Sequence, residues 1–165
     1  MSRITDPASS GGANLVRCGD IHVGSLVNVF LNIRCKTSAG LGASREMKIA
    51  LADKRQCTFF GTLDGGIGCL LPIPEKVYRR LSMLQVKMTQ GMRHMAGLNP
   101  KAFRTFQTRH QYLHNAQRNI LDGTLLYQYL SLTAKEKFDF SKQIGTTVAQ
   151  IMEDLKEIDK VMSHF

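Results

Sequence analysis

Between positions 71 and 75 the chain reads Leu-Pro-Ile-Pro-Glu, and the two prolines divide it into halves that follow different periodicities. Neither Pro72 nor Pro74 carries a backbone N–H, so no sheet ladder continues through them, whereas Pro74 followed by Glu75 suits the first turn of a helix. On the N-terminal side Ile21 and Val23, then Val27, Val29, Leu31 and Ile33, recur at every second position. That spacing puts side chains on one face of a strand and leaves Asn28, Asn32 and Arg34 for the other. On the C-terminal side Val77, Leu81, Leu84, Met88 and Met92 keep helical spacing, which predicts a long amphipathic helix. The fold class expected is α+β, about four strands followed by four or five helices, with one unit over 1–73 and a second over 74–165.

Local signals fill in each half. Residues Thr5 to Gly12 are small and turn-forming, and a glycine- and serine-rich stretch from Thr37 to Ser44 reads as a surface loop. The runs Cys57–Leu63 and Ile67–Leu71 meet across Asp64-Gly65-Gly66, where glycine permits the positive φ that a hairpin needs, and the Asp64 carboxylate is placed to stabilise its own turn. Gly97-Leu98-Asn99-Pro100 restarts the helical count, with Asn99 as an N-cap. Asp122 caps a short helix running to Tyr129. Thr133 and Glu136 form a capping box, Gly145 stops that helix, and Thr147 with Gln150 repeats the box ahead of Val148–Met162. In this last helix Val148, Ile151, Met152, Leu155, Ile158 and Met162 make a core stripe, with Glu153, Asp154, Glu157 and Asp159 expected largely off it. A few strands with apolar residues on both faces leave open edges, so the first unit is expected to need strands from elsewhere to complete a sheet.

The chemistry of an enzyme is missing from the pattern. Gly61, Gly65, Gly66 and Gly68 resemble a phosphate loop only in composition, because a strand follows them and no Gly-Lys-Ser/Thr is present. His110 and His114 share a helical spacing but lack the glutamate of a zinc-protease motif and an evident third ligand. Cys18, Cys35, Cys57 and Cys69 are widely and unevenly spaced, as small buried thiols in a reducing compartment would be. No cofactor and no metal are expected. No run of about 18 apolar residues is found and the N-terminus has no signal-peptide pattern, so a membrane partner is not expected either.

Charge gives the one positive indication. The formal net charge is +9, and its excess is concentrated in residues 74 to 118, which hold nine basic groups and one acidic group. A density of this kind suits phosphates, or the acidic face of a protein. Candidate nucleic-acid contacts are Arg79, Arg80, Lys87, Arg93, Lys101, Arg104 and Arg109, interleaved with Tyr78, Phe103, Phe106 and Tyr112. Phe103 and Phe106, three apart, are expected instead to anchor a short helix in the core.

Longer motifs add a resemblance. The run from Gly61 to Gly68, Leu71-Pro72-Ile73-Pro74-Glu75-Lys76-Val77-Tyr78-Arg79-Arg80-Leu81, Ala96-Gly97-Leu98-Asn99-Pro100-Lys101-Ala102-Phe103-Arg104, Asn119-Ile120-Leu121-Asp122-Gly123, Ile144-Gly145-Thr146-Thr147 and the terminal His164-Phe165 appear in that order. Together they resemble the C-terminal end of the family of the largest subunit of the cleavage and polyadenylation specificity factor, over essentially the whole chain. Two paralogous groups share the outline, the large subunit of the ultraviolet-damaged-DNA-binding complex and a splicing-factor subunit, but without Ala-Gly-Leu-Asn-Pro after the long helix. What the resemblance implies is a remnant of a terminal β-propeller blade followed by a C-terminal helical domain. It also implies a nuclear, non-catalytic scaffold in pre-mRNA 3′-end processing, RNA-associated, with a WD-repeat subunit and a zinc-finger subunit as partners. The alternatives are a stand-alone basic nucleic-acid-binding module and a paralogous DNA-repair or splicing scaffold.

Overall fold

In the computed structural model of the protein the described residues are 19–34, 56–104 and 119–162. The loops expected over 5–12 and 37–44, Cys18, Cys35, Phe106, Arg109, His110, Tyr112 and His114 lie outside them. Strands β1 (Val27–Arg34), β2 (Gln56–Thr62) and β3 (Ile67–Leu70) form an antiparallel sheet in the order β1-β2-β3. Helix α1 spans Glu75–Gly91, and α2 (Pro100–Arg104), α3 (Gly123–Tyr127), α4 (Ala134–Gln143) and α5 (Val148–Met162) follow. The protein is thus mixed, with a three-stranded sheet ahead of a helical body.

The β2–β3 turn is built from its own residues. Gly65 takes φ +86°, and the Thr62 hydroxyl donates to the Asp64 carboxylate, which also accepts from the Gly66 N–H. These bonds favour the ionised carboxylate, so Asp64 titrates below the usual range, the Thr62 hydroxyl being the main cause. A second glycine is required by close approach: a Cβ on Gly68 would sit 2.1 Å from the Phe60 ring. Phe60 therefore lies over bare backbone, with Phe30 beside it at a centroid distance of 6.3 Å.

The first strand departs from the period-two reading in two ways. Ile21 and Val23 precede the strand and are not part of it. A β-bulge between Val27 and Val29 then pairs Val27 with Thr62 and Val29 with Gly61. Because the extra residue reverses the alternation, Val27 shares a face with Phe30 and Phe60, and Val29 with Leu31, Ile33, Phe59 and Ile67.

The core belongs to the helices. Val77, Leu81, Leu84 and Met88 on one stripe of α1 pack with Leu125 and Leu126 of α3, Tyr129, Phe140 of α4, and Ile151 and Leu155 of α5. The ends are fixed locally: Thr133 and Glu136 exchange both bonds of a capping box. Gly145 at φ +70° closes α4, its N–H donating to the Lys142 carbonyl and that of Thr146 to the Ser141 carbonyl. The second box is only half formed, since the Thr147 hydroxyl accepts from the Gln150 N–H while the Gln150 side chain turns forward to Glu153.

One helix contact titrates. The Tyr127 hydroxyl donates to Asp159 at 3.1 Å, and burial, with that carboxylate beside it, pushes the phenol up to about 12. An acid whose folded pKa is raised contributes stability that is complete below its unfolded value near 10 and fades as pH climbs toward the folded one. Tyr127→Phe should cost about 1 kcal/mol at neutral pH. The gap between its melting temperature and that of wild type should narrow as pH rises past 10, and a gap independent of pH would count against this bond.

Candidate functional site

Three features could meet another molecule: the sheet, the cationic stretch, and the join between sheet and helices. The join starts from Asp122, the N-cap of α3, whose carboxylate accepts from the Thr124 N–H. It also accepts two bonds from the Arg104 guanidinium, at 2.8 and 3.3 Å, and the two side chains are only 8% and 18% exposed. The Asp122 N–H donates to Gln85 Oε1 of α1 at 2.7 Å, so a buried glutamine ties this cap to the long helix. Arg104 continues outward, with Nη1 on the His22 carbonyl at 3.1 Å, and the His22 N–H donates to the Arg104 carbonyl at 3.0 Å.

His22 Nδ1 lies 3.0 Å from the Phe103 carbonyl, and because a carbonyl only accepts, that nitrogen carries the proton. The Phe103 ring meets the His22 ring edge-on and lies against Gly24, where a Cβ would come within 3.2 Å of it. Phe103 is therefore a clasp on the segment leading into β1. It is 54% exposed and does not enter the helical core, a correction to its expected role as a core anchor.

The seven candidate cations fall into different settings. Arg80 reaches from α1 to Asp154 of α5 with two bonds, at 2.6 and 3.1 Å, and Asp154 is 3% exposed, so this acid lies inside the helical body and not off the stripe. Arg80 and Arg104 thus each hold a buried carboxylate. Arg79 is exposed and pairs with Glu75 one turn back. Arg93 and Lys101 are exposed, Lys87 is half-buried, and Arg109 lies outside the described residues. Tyr78 is used internally, its hydroxyl accepting from the Asn119 N–H at 3.0 Å.

Among the described residues both faces of the sheet carry exposed apolar side chains. Val29, Leu31 and Ile67 on one face are 54, 57 and 82% exposed, and Phe30 on the other is 62% exposed. Cys57 is its buried hydrophobic side chain, with Sγ 2.6 Å from that of Cys69. Burial, chiefly, raises the Cys57 thiol to about 12, which favours its protonated form at neutral pH. Among the described residues no group of three or more His, Cys, Asp or Glu side chains could hold a metal ion, and no helix is long and apolar enough to cross a membrane.

Sequence reasoning identified Asp122 as a cap but missed its roles toward Arg104 and Gln85. A cap leaves a local signature, whereas partners 18 and 37 positions away leave none.

Comparison with known proteins places these features in a family. The model of the CPSF A subunit region matches residues 2–131, and the chain belongs to that family. It is 38% identical over 157 residues to cleavage and polyadenylation specificity factor subunit 1 of Drosophila melanogaster, covering 95% of this chain and 10% of that protein. A probable subunit 1 from Oryza sativa is 37% identical over 147 residues, 89% of this chain and 10% of its own length. Protein cft1 of Schizosaccharomyces pombe is 32% identical over 159 residues, 96% of this chain and 11% of its own. The chain therefore spans about a tenth of the length of these relatives.

Proposed function

We propose that this chain is a non-catalytic scaffold segment of the nuclear pre-mRNA 3′-end cleavage and polyadenylation assembly. Strands 27–70 act as the remnant of a terminal propeller blade, and residues 74–165 as a C-terminal helical domain that holds the WD-repeat and zinc-finger subunits. One observation carries this reading: a three-stranded sheet bears large exposed apolar side chains on both faces, in a chain about a tenth as long as its relatives. Such a sheet is stable only when further strands pair its edges and other layers cover its faces.

In the complete protein, Leu31→Asp should behave as a core substitution and cost about 3 kcal/mol or more, because it places a charge in a covered apolar layer. A change within about 0.5 kcal/mol, the usual surface tolerance, would show that nothing covers this face. Copurification of the WD-repeat and zinc-finger subunits with the complete protein should be lost on deleting residues 74–165, and retention of both would argue against the helical part as their holder. RNA contact by this segment is the weaker reading, because two of the seven candidate cations already hold buried carboxylates. Its mark would be RNA affinity that falls steeply with salt and with charge reversal at Arg79 and Lys87.

A further inference from the structure

Cys57 and Cys69 are free thiols on neighbouring strands, and the scaffold reading makes no use of them. The register pairs Phe59 with Cys69, so Cys57, two residues earlier on β2, stands diagonal to Cys69 on the same face of the sheet. Their Sγ atoms are 2.6 Å apart. A disulfide bond is about 2.05 Å long, so roughly half an ångström separates contact from bond, which small side-chain rotations cover without a change of register. The two thiols differ in access. Cys57 lies on the central strand and is fully buried, whereas Cys69, on β3 at the edge of the three-stranded sheet, is half-buried.

We propose that Cys57 and Cys69 form a reversible dithiol–disulfide site, reduced at rest and closed by low-molecular-weight disulfides of the glutathione class, and that closing it stiffens the β2–β3 hairpin. This goes beyond the scaffold reading and does not depend on it. Disulfides in reducing compartments are usually transient and redox-sensing, and such a site needs an accessible thiol with a resolving thiol beside it. Cys69 reacts first. Its thiolate attacks one sulfur of glutathione disulfide, that S–S bond breaks, and one glutathione leaves and takes up the proton that Cys69 lost. Cys57 then gives up its own proton, attacks Cys69 Sγ and displaces the second glutathione, which leaves carrying that proton. Two protein thiols and one glutathione disulfide thus become one protein disulfide and two glutathione thiols, and two electrons pass from protein to glutathione. While both cysteines are thiols, burial first, then the hydrogen bond and charge of Cys69, hold the Cys57 proton in place. Conversion of Cys69 to the mixed disulfide abolishes its charge and its thiol proton, so the first step eases the second. The bridge joins the strands at the end of the hairpin away from the Asp64-Gly65-Gly66 turn, and the closed form is fastened at both ends.

The test equilibrates the complete protein in buffers of graded glutathione disulfide to glutathione ratio, quenches with acid, alkylates the remaining thiols and maps the peptides by mass spectrometry. A peptide linked through Cys57 and Cys69 should appear as the ratio rises and vanish on return to excess glutathione. In Cys57→Ala the reaction should stop halfway, with about tenfold or more glutathione adduct on Cys69 compared with wild type at the same ratio. Amide exchange across β2 and β3 should slow by about tenfold or more in the closed form, because the bridge restricts local opening. Four results would each overturn the proposal: a lasting adduct on wild-type Cys69 without the link, both thiols unmodified at a ratio that oxidises an unstructured dithiol peptide, a link that persists in excess glutathione, or equal amide exchange in the two forms.

Discussion

Asp122→Ala should destabilise the region by about 3–5 kcal/mol, one of the two largest single effects expected in this chain. The substitution leaves the Arg104 guanidinium, 18% exposed, without its carboxylate, and an uncompensated charge of that kind carries a penalty of this size. It also removes the acceptor for the Thr124 N–H at the start of α3, a loss of about 1 kcal/mol in its own right. Asp122→Asn keeps the cap oxygen and gives up only the charge, so it should fall between alanine and wild type. Hydrogen exchange of the complete protein provides the local readout. In the alanine variant, protection should fall at the His22 amide, which bonds to the Arg104 carbonyl, as well as in α3. Faster exchange in α3 with no change at His22 would mean that Arg104 does not transmit the loss to the strand side.

Asp154→Ala should cost a similar 3–5 kcal/mol for the same physical reason, in a different place. Its carboxylate is 4% exposed and accepts from Nε and Nη2 of Arg80, which links α5 to α1 across the helical body. The informative variant is the double replacement Arg80→Met with Asp154→Leu. Removing both charges avoids burying either one alone, and apolar pairs of comparable volume are often neutral to stability or better. Denaturant unfolding should therefore show most of the single-variant loss recovered in the double variant. If the double variant were as unstable as Asp154→Ala, the cause would be packing around position 154 and not the orphaned guanidinium.

These pairs also mark where the sequence could be read and where it could not. Features whose causes lie within a few residues were legible: the Thr62-Asp64-Gly66 turn, the Asp122 cap, the Thr133–Glu136 box and the Gly145 stop each depend on groups close together in the chain. The α1 core stripe was legible for a related reason, since helical spacing converts sequence into a face. Charge failed as a guide to surface. Asp154 reads as a solvent-side acid in its own helix, and only the approach of α1, 74 positions earlier in the chain, makes it a buried partner of Arg80. Arg80 and Arg104 looked like members of one basic patch for the same reason, each being neutralised by an acid its own segment does not contain. The bulge beside Asn28 was invisible to period-two counting, because a pattern that assumes strict alternation has no place for an extra residue. Phe103 was legible as a large apolar side chain but not as a clasp, since its contacts, His22 and Gly24, come from the strand side of the chain.

The reciprocal bonds between His22 and Arg104 fasten the polypeptide to itself across 82 positions. The hairpin and the long helix both lie inside the loop that this contact closes. The entropy of closing such a loop grows only with the logarithm of its contour, about 0.6 kcal/mol for each doubling. A change in the length of that loop therefore alters the cost of mooring the sheet to the helices very little.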